Sequence, residues 1–181
     1  MTTLFIGLMI MLDLFISSFF SSDFSWRSVD FVPMLSLLFL VFVIIDQPTN
    51  KHFIYAFFTG FVVDLMTHSM LFTHAILYVI VLVVMREFQR HFSTSLVEII
   101  VMGLVAIFLK ETLLLVWYTL IQQIDISFLQ WYTSRMLVTL LGNIPLMFFA
   151  YYIATIYEST VKKNIKKQRQ SETTLWGFLK D

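Results

Sequence analysis

Residues 60–70 read GFVVDLMTHSM, and they set a carboxylate, Asp64, inside an apolar run. On a helix, positions four apart lie nearly above one another, so Ala56, Gly60, Asp64 and His68 form one slowly drifting ridge. Alanine and glycine let a neighbouring backbone approach closely, which is the usual basis of helix packing in lipid. A charged Asp near mid-bilayer costs roughly 2.5–3.5 kcal/mol on insertion scales, so Asp64 is expected to face protein, find a donor or stay protonated. It either closes its helix near the outer interface or locks that helix to its neighbours. Both readings keep it off lipid.

The sequence around the ridge calls for such a lipid setting. Of its 181 residues, 59% are hydrophobic and 13% charged, with a mean hydropathy of +0.83. That is well above the apolar share of about 45–50% in soluble domains, and it reads as an integral membrane protein. Six apolar runs approach the ~20 residues that cross a bilayer. They cover residues 3–20, 31–45, 53–66 (short), 71–85, 96–121 and 137–157. Strand-like alternation is absent from them, and backbone amides in hydrocarbon need internal partners, so the expected fold is an all-α bundle of six transmembrane helices. The bundle occupies residues 1–160, and residues 161–181 form a basic tail. With no cysteine, disulfides and thiolate metal sites are excluded.

Turn chemistry separates the runs. SSDFSWRSVD (21–30) has loop composition, Pro48 stands where a helix would stop, and TSLVE (94–98) looks like an N-cap followed by an acidic residue. Lys51, Arg86, Arg90 and the tail lie on one side of the spans; Arg27 and Arg135 lie on the other. The positive-inside rule then places both termini in the cytoplasm. The first run lacks a basic n-region and is interrupted by Asp13, so it is expected to remain in the mature chain as a span.

The run 96–121 carries Lys110 and Glu111 at its middle. Adjacent residues point about 100° apart, so the two are not expected to pair face to face. Gly103 and Ala106 share the Lys110 side with Leu114 and Trp117; Ile107 and Tyr118 share that of Glu111. An inward Lys110 is expected to meet Asp64 or Asp13, and Glu111 to accept from Arg135 or from a partner chain. Asp13, Asp64, Lys110 and Glu111 thus form an expected buried polar cluster.

Other chemistries fail on spacing. His68 and His74 are six apart and His52 and His91 remote, so no histidine metal pair exists. No phosphate-binding glycine loop or nucleophile elbow occurs, and no cofactor, nucleic acid or catalytic residue is expected. Six of the twelve Lys and Arg residues follow Val161. Of these, Lys162, Lys163, Lys166, Lys167 and Arg169 suit a solvated extension, a lipid surface or a cytoplasmic partner.

The segment AFFTGFVVDLMTHSMLFTHAILYVIVLV (56–83), preceded by DFVPMLSLLF with Pro33, resembles the bacterial rod shape-determining protein MreD family. Length, six spans and cytoplasmic termini are similar as well. The resemblance rests on a short helix with Gly60 and Asp64 in the spacing G-x-x-x-D, a brief turn and a long apolar helix. Two positions depart: Leu71-Phe72 stands where the family usually has Leu-Gly, and His68 replaces a commonly small residue. The resemblance implies a non-enzymatic scaffold of the bacterial cell membrane. It would bind the transmembrane helix of MreC and help couple MreB filaments to the polymerase RodA and its transpeptidase partner. On that reading Ala56, Gly60 and Asp64 are expected to form part of the MreC-binding groove, so Gly60→Leu would abolish binding without unfolding. The alternative of similar size and span count is the substrate-binding S component of an energy-coupling-factor vitamin importer. Its small-residue face on the first helix is poorly matched by LFIGLMIMLDLFISSFF (4–20).

Overall fold

The computed structural model describes residues 2–20, 30–46, 51–67, 70–89, 95–121 and 127–178, with side chains at all of these except 44–46 and 164–178. Arg27, Pro48, His68 and Arg90 lie outside the described residues, as do the side chains of Lys166, Lys167 and Arg169. Among the described residues the chain is all-helical. The elements are α1 Thr2–Ser17, α2 Leu35–Asp46, α3 Lys51–Met66, α4 Thr73–Phe88, α5 Leu96–Leu120, α6 Phe128–Trp131, a π-helical turn Tyr132–Met136, and α7 Leu137–Phe178.

α2 is the axis of the bundle. It packs on α1, α3, α4, α5 and α7, and its residues Leu35 to Val43 are buried on every side. A helix that is apolar all round belongs in the centre of a bundle, because no face prefers the exterior. The strongest pairing outside this axis is the α3–α4 hairpin, and α5 packs on both α4 and α7. At one end, Phe5 of α1 stacks on Phe39 of α2 and meets Tyr157 of α7 edge-on.

α5 begins as its sequence predicts. The Ser95 hydroxyl accepts from the amide of Glu98 at 3.4 Å, which supplies one of the donors a helix start leaves unpaired. α2 begins four residues later than its hydropathy suggests: residues 31–34, including Pro33, are not helical, and the helix starts at Leu35. α7 is 42 residues long and runs through position 161 without a break, so the backbone of the basic tail continues it as helix to Phe178. Lys162 is paired with Glu158 one turn before it, and Lys162 and Lys163 are exposed.

Among the described residues, two helical stretches are long and apolar enough to cross a membrane, α5 and residues Phe128–Lys163; α1 is apolar but shorter. The exterior is apolar too. Leu4, Leu8, Met11 and Phe15 line the outside of α1, and Ile54, Phe58 and Leu65 that of α3. Soluble monomers rarely carry contiguous apolar surface on this scale, so the exterior supports membrane association.

Candidate functional site

The buried charges Asp13, Asp30, Asp64, Lys110, Glu111 and Arg135 gather where helices meet. Asp64 is buried in α3 beside the start of α4. Its Oδ1 accepts from the His74 amide at 2.9 Å and lies 2.8 Å from the His74 ring Nδ1, while its Oδ2 accepts from the Ala75 amide at 3.2 Å. The carboxylate therefore serves as a tertiary N-cap for α4, set at the end of that helix where the macrodipole places about half a positive charge. Asp13 does the same for α2. Its Oδ1 accepts from the Leu35 amide at 2.6 Å and its Oδ2 from the Ser36 amide at 2.8 Å. Each of the two hairpins thus closes with an acid from its first helix on the amides that open its second.

The non-helical lead-in to α2 is held by the π-helical turn and α7. The Asp30 amide donates to the Ser134 carbonyl at 3.0 Å, and the Met34 amide donates to Asn143 Oδ1 at 3.0 Å. Asn143 Nδ2 returns a bond to the Val32 carbonyl at 2.8 Å. Buried backbone must find partners, and here a single amide side chain in an apolar helix supplies both kinds.

Between these two caps runs a chain of full charges. Lys110 Nζ donates to Glu111 Oε1 at 2.7 Å, Arg135 Nε donates to Glu111 Oε2 at 2.7 Å, and the Arg135 guanidinium also binds Asp30. All four residues are buried. Arg135 reaches inward from the π-helical turn, a local widening of the helix that is frequent at functional positions.

Sequence reading anticipated some of this and missed the rest. Glu111 accepts from Arg135 as expected, and all four members of the expected polar cluster are buried. The expected separation of Lys110 from Glu111 is corrected: the flexible stems of both side chains close a gap that their Cα directions open. The expected pairing of Lys110 with Asp64 or Asp13 is corrected too, since the hydrogen bond of Lys110 goes to Glu111 while both Asp residues take backbone amides. The sequence reading gives no structural role to Asp30, His74 or Asn143. A lone amide in LLGNIPLMFF (140–149) was the available signal for Asn143.

The ridge through Ala56, Gly60 and Asp64 is buried against this chain's own α4. A Cβ on Gly60 would lie 2.4 Å from the His74 carbonyl oxygen and 2.6 Å from Ala75 Cα and N. The groove foreseen for a foreign helix is therefore filled from within, and the three residues act as intramolecular packing.

At the turn of this hairpin, Phe72 has φ 70° and ψ 1°, the left-handed conformation that glycine adopts freely. It is the position where the resemblance implies glycine. Its ring stacks on Phe61 at 5.4 Å and on Phe57 at 6.2 Å. Phe72→Gly relieves a backbone penalty of about 1–2 kcal/mol and gives up exposed ring contacts. It is expected to raise the thermal midpoint in detergent, whereas Phe72→Val should lower it.

Comparison of this chain with protein-family models, with curated proteins and with solved structures finds no match.

Proposed function

We propose that this protein is an MreD-like scaffold of the bacterial cell-elongation machinery, a multi-pass bundle of the cytoplasmic membrane that binds MreC and helps regulate peptidoglycan synthesis and cell shape. The observation that carries the reading is the α3–α4 hairpin. Gly60 meets the α4 backbone, Asp64 caps α4, and residue 72 takes a glycine conformation, so each landmark of the resemblance coincides with a structural demand. The orientation argument also strengthens. Arg135, counted by sequence among the outer charges, is buried on Glu111 and Asp30, which leaves the basic excess on the cytoplasmic side.

The vitamin-importer reading is less well supported. Broken-helix transporters aim helix N-termini at an anionic substrate near the midplane. Here the N-termini of α2 and α4 are filled by Asp13 and Asp64 of the chain itself. We place the MreC contact on the outward face of α1, where a Cβ on Gly7 would meet nothing within 4 Å. RodA, its transpeptidase partner and MreB are the further expected members of the assembly, and the protein itself contributes no catalysis.

Purification in mild detergent followed by identification of co-purifying proteins tests this. MreC is expected with the wild-type chain and is expected to be lost from Gly7→Leu. Recovery of an importer's energising subunits instead of MreC would overturn the assignment. Full MreC recovery with Gly7→Leu would move the contact to another helix.

A further inference from the structure

We propose that water is bound inside the bundle between α4, α5 and α6, where it bridges the Trp131 indole N–H to the Tyr118 hydroxyl and joins the Asp64 cap of α4 to the chain of charges at Arg135.

Trp131 ends α6 and is fully buried. The π-helical turn that follows sets it inward. In that turn the Leu137 amide donates to the Tyr132 carbonyl, five residues back, so Trp131 and Met136, five apart, face one cluster with Leu77 of α4 and with Leu114 and Tyr118 of α5. An indole N–H can only donate. Buried tryptophans as a rule give it an acceptor, because a buried donor left unpaired costs its full desolvation. Nε1 of Trp131 has no protein partner among the described residues. Full burial also keeps lipid from it. The side chains of its cluster are apolar except for the weakly accepting sulfur of Met136 and the hydroxyl of Tyr118.

Two hydroxyls fit the same ligand. Thr73 opens α4 one turn before Leu77 and on the same face; it is buried, and its hydroxyl too has no protein partner among the described residues. The Tyr118 hydroxyl interacts electrostatically with Asp64, Arg135 and Glu111, so it stands between the cap of α4 and the charge chain. Each of these hydroxyls both donates and accepts, whereas the indole only donates. Water suits the set, since it accepts from the indole and can donate to both hydroxyls. Buried water typically makes about three hydrogen bonds to groups that the protein itself leaves unpaired. Such a bridge ties α6, and α7 beyond it, to the α3–α4 hairpin through polar contacts as well as apolar ones.

The chain has four tryptophans, so isotope labelling of the indole nitrogens gives four side-chain signals, and Trp131→Phe identifies one of them. In deuterated detergent the Trp131 indole proton is expected to show magnetisation transfer from water while exchanging slowly into heavy water. Tyr118→Phe removes one anchor and is expected to abolish that transfer and to move the indole proton signal upfield. Thr73→Val should weaken the transfer, and it replaces Tyr118→Phe if that variant does not fold. Thr119→Val, whose hydroxyl is bonded to the Leu115 carbonyl of its own helix, should leave the transfer unchanged. An indole proton without transfer from water would be an unpaired donor and would overturn the proposal. Transfer from detergent alkyl protons in its place would overturn it as well, because amphiphile would then cover the ring. Transfer that survives both Tyr118→Phe and Thr73→Val, or that is lost in Thr119→Val too, would mean that these hydroxyls do not hold the water, and the bridge would be disproved.

Discussion

Glu111→Leu is expected to be among the most destabilising single substitutions in this chain. Glu111 is the carboxylate that both Lys110 and Arg135 bind, at 2.7 Å each, and all three side chains are buried. Removing one partner of a buried pair typically costs 3–5 kcal/mol, because the remaining charge is left uncompensated in a low-dielectric interior. Here two cations lose an anion at once, although Arg135 keeps Asp30. The loss at Glu111→Leu should therefore fall on Lys110, whose hydrogen bond goes to Glu111. Adding Lys110→Met to Glu111→Leu replaces the orphaned cation with an apolar side chain of similar length, and the double variant is expected to be more stable than Glu111→Leu alone. Denaturant unfolding in mixed micelles measures both. If the double variant is less stable than the single, Lys110 has a further stabilising role that the pair with Glu111 does not contain.

That pair also shows where sequence reading stops. Hydropathy located the helices because burial in a bundle is written in residue type, and α3 and α5 begin and end within two residues of their apolar runs. The Ser95 cap was legible because it is local, with donor and acceptor three residues apart. The start of α2 was not legible. An apolar run does not say where along it a helix begins, and residues 31–34 stay outside α2, where Asn143, more than a hundred residues away, bonds the Val32 carbonyl and the Met34 amide. Lys110 stands out in the sequence as a candidate donor to Asp64 or Asp13 because a cation is marked by its residue type. Backbone amides at a helix start are equally good donors to a carboxylate, but every residue has one, so no residue type marks them. The Lys110–Glu111 contact was missed for a different reason. The rule that neighbours on a helix diverge concerns Cα–Cβ directions, and it weakens for side chains with several rotatable bonds when a third group, Arg135, fixes one of them.

Glycine-to-alanine substitution is expected to have opposite signs at two helix positions of this bundle. Alanine is favoured over glycine in a helix interior by about 1 kcal/mol, and that gain is available wherever the new methyl group has room. At Gly7 it does: a Cβ there meets nothing within 4 Å, so Gly7→Ala should raise the thermal midpoint. At Gly60 the same methyl would sit 2.4 Å from the His74 carbonyl oxygen and 2.6 Å from the Ala75 backbone. Those atoms belong to the first turn of α4 and cannot rotate aside as a side chain does. α4 must move away from α3, and the movement also pulls the His74 and Ala75 amides from Asp64. Overpacking alone costs typically 1–3 kcal/mol, and loss of a helix cap adds about 1 kcal/mol, so Gly60→Ala should be clearly destabilising despite its better helix propensity. Gly60→Leu, with a branched side chain at the same contact, should fail to give a folded, monodisperse protein in detergent, which corrects the expectation that it would spare the fold and remove only a partner. Size-exclusion profiles and thermal melts of the three variants decide the matter. A stable Gly60→Leu protein would mean that α3 and α4 do not pack through Gly60, and the hairpin geometry on which the proposed function rests would fall with it.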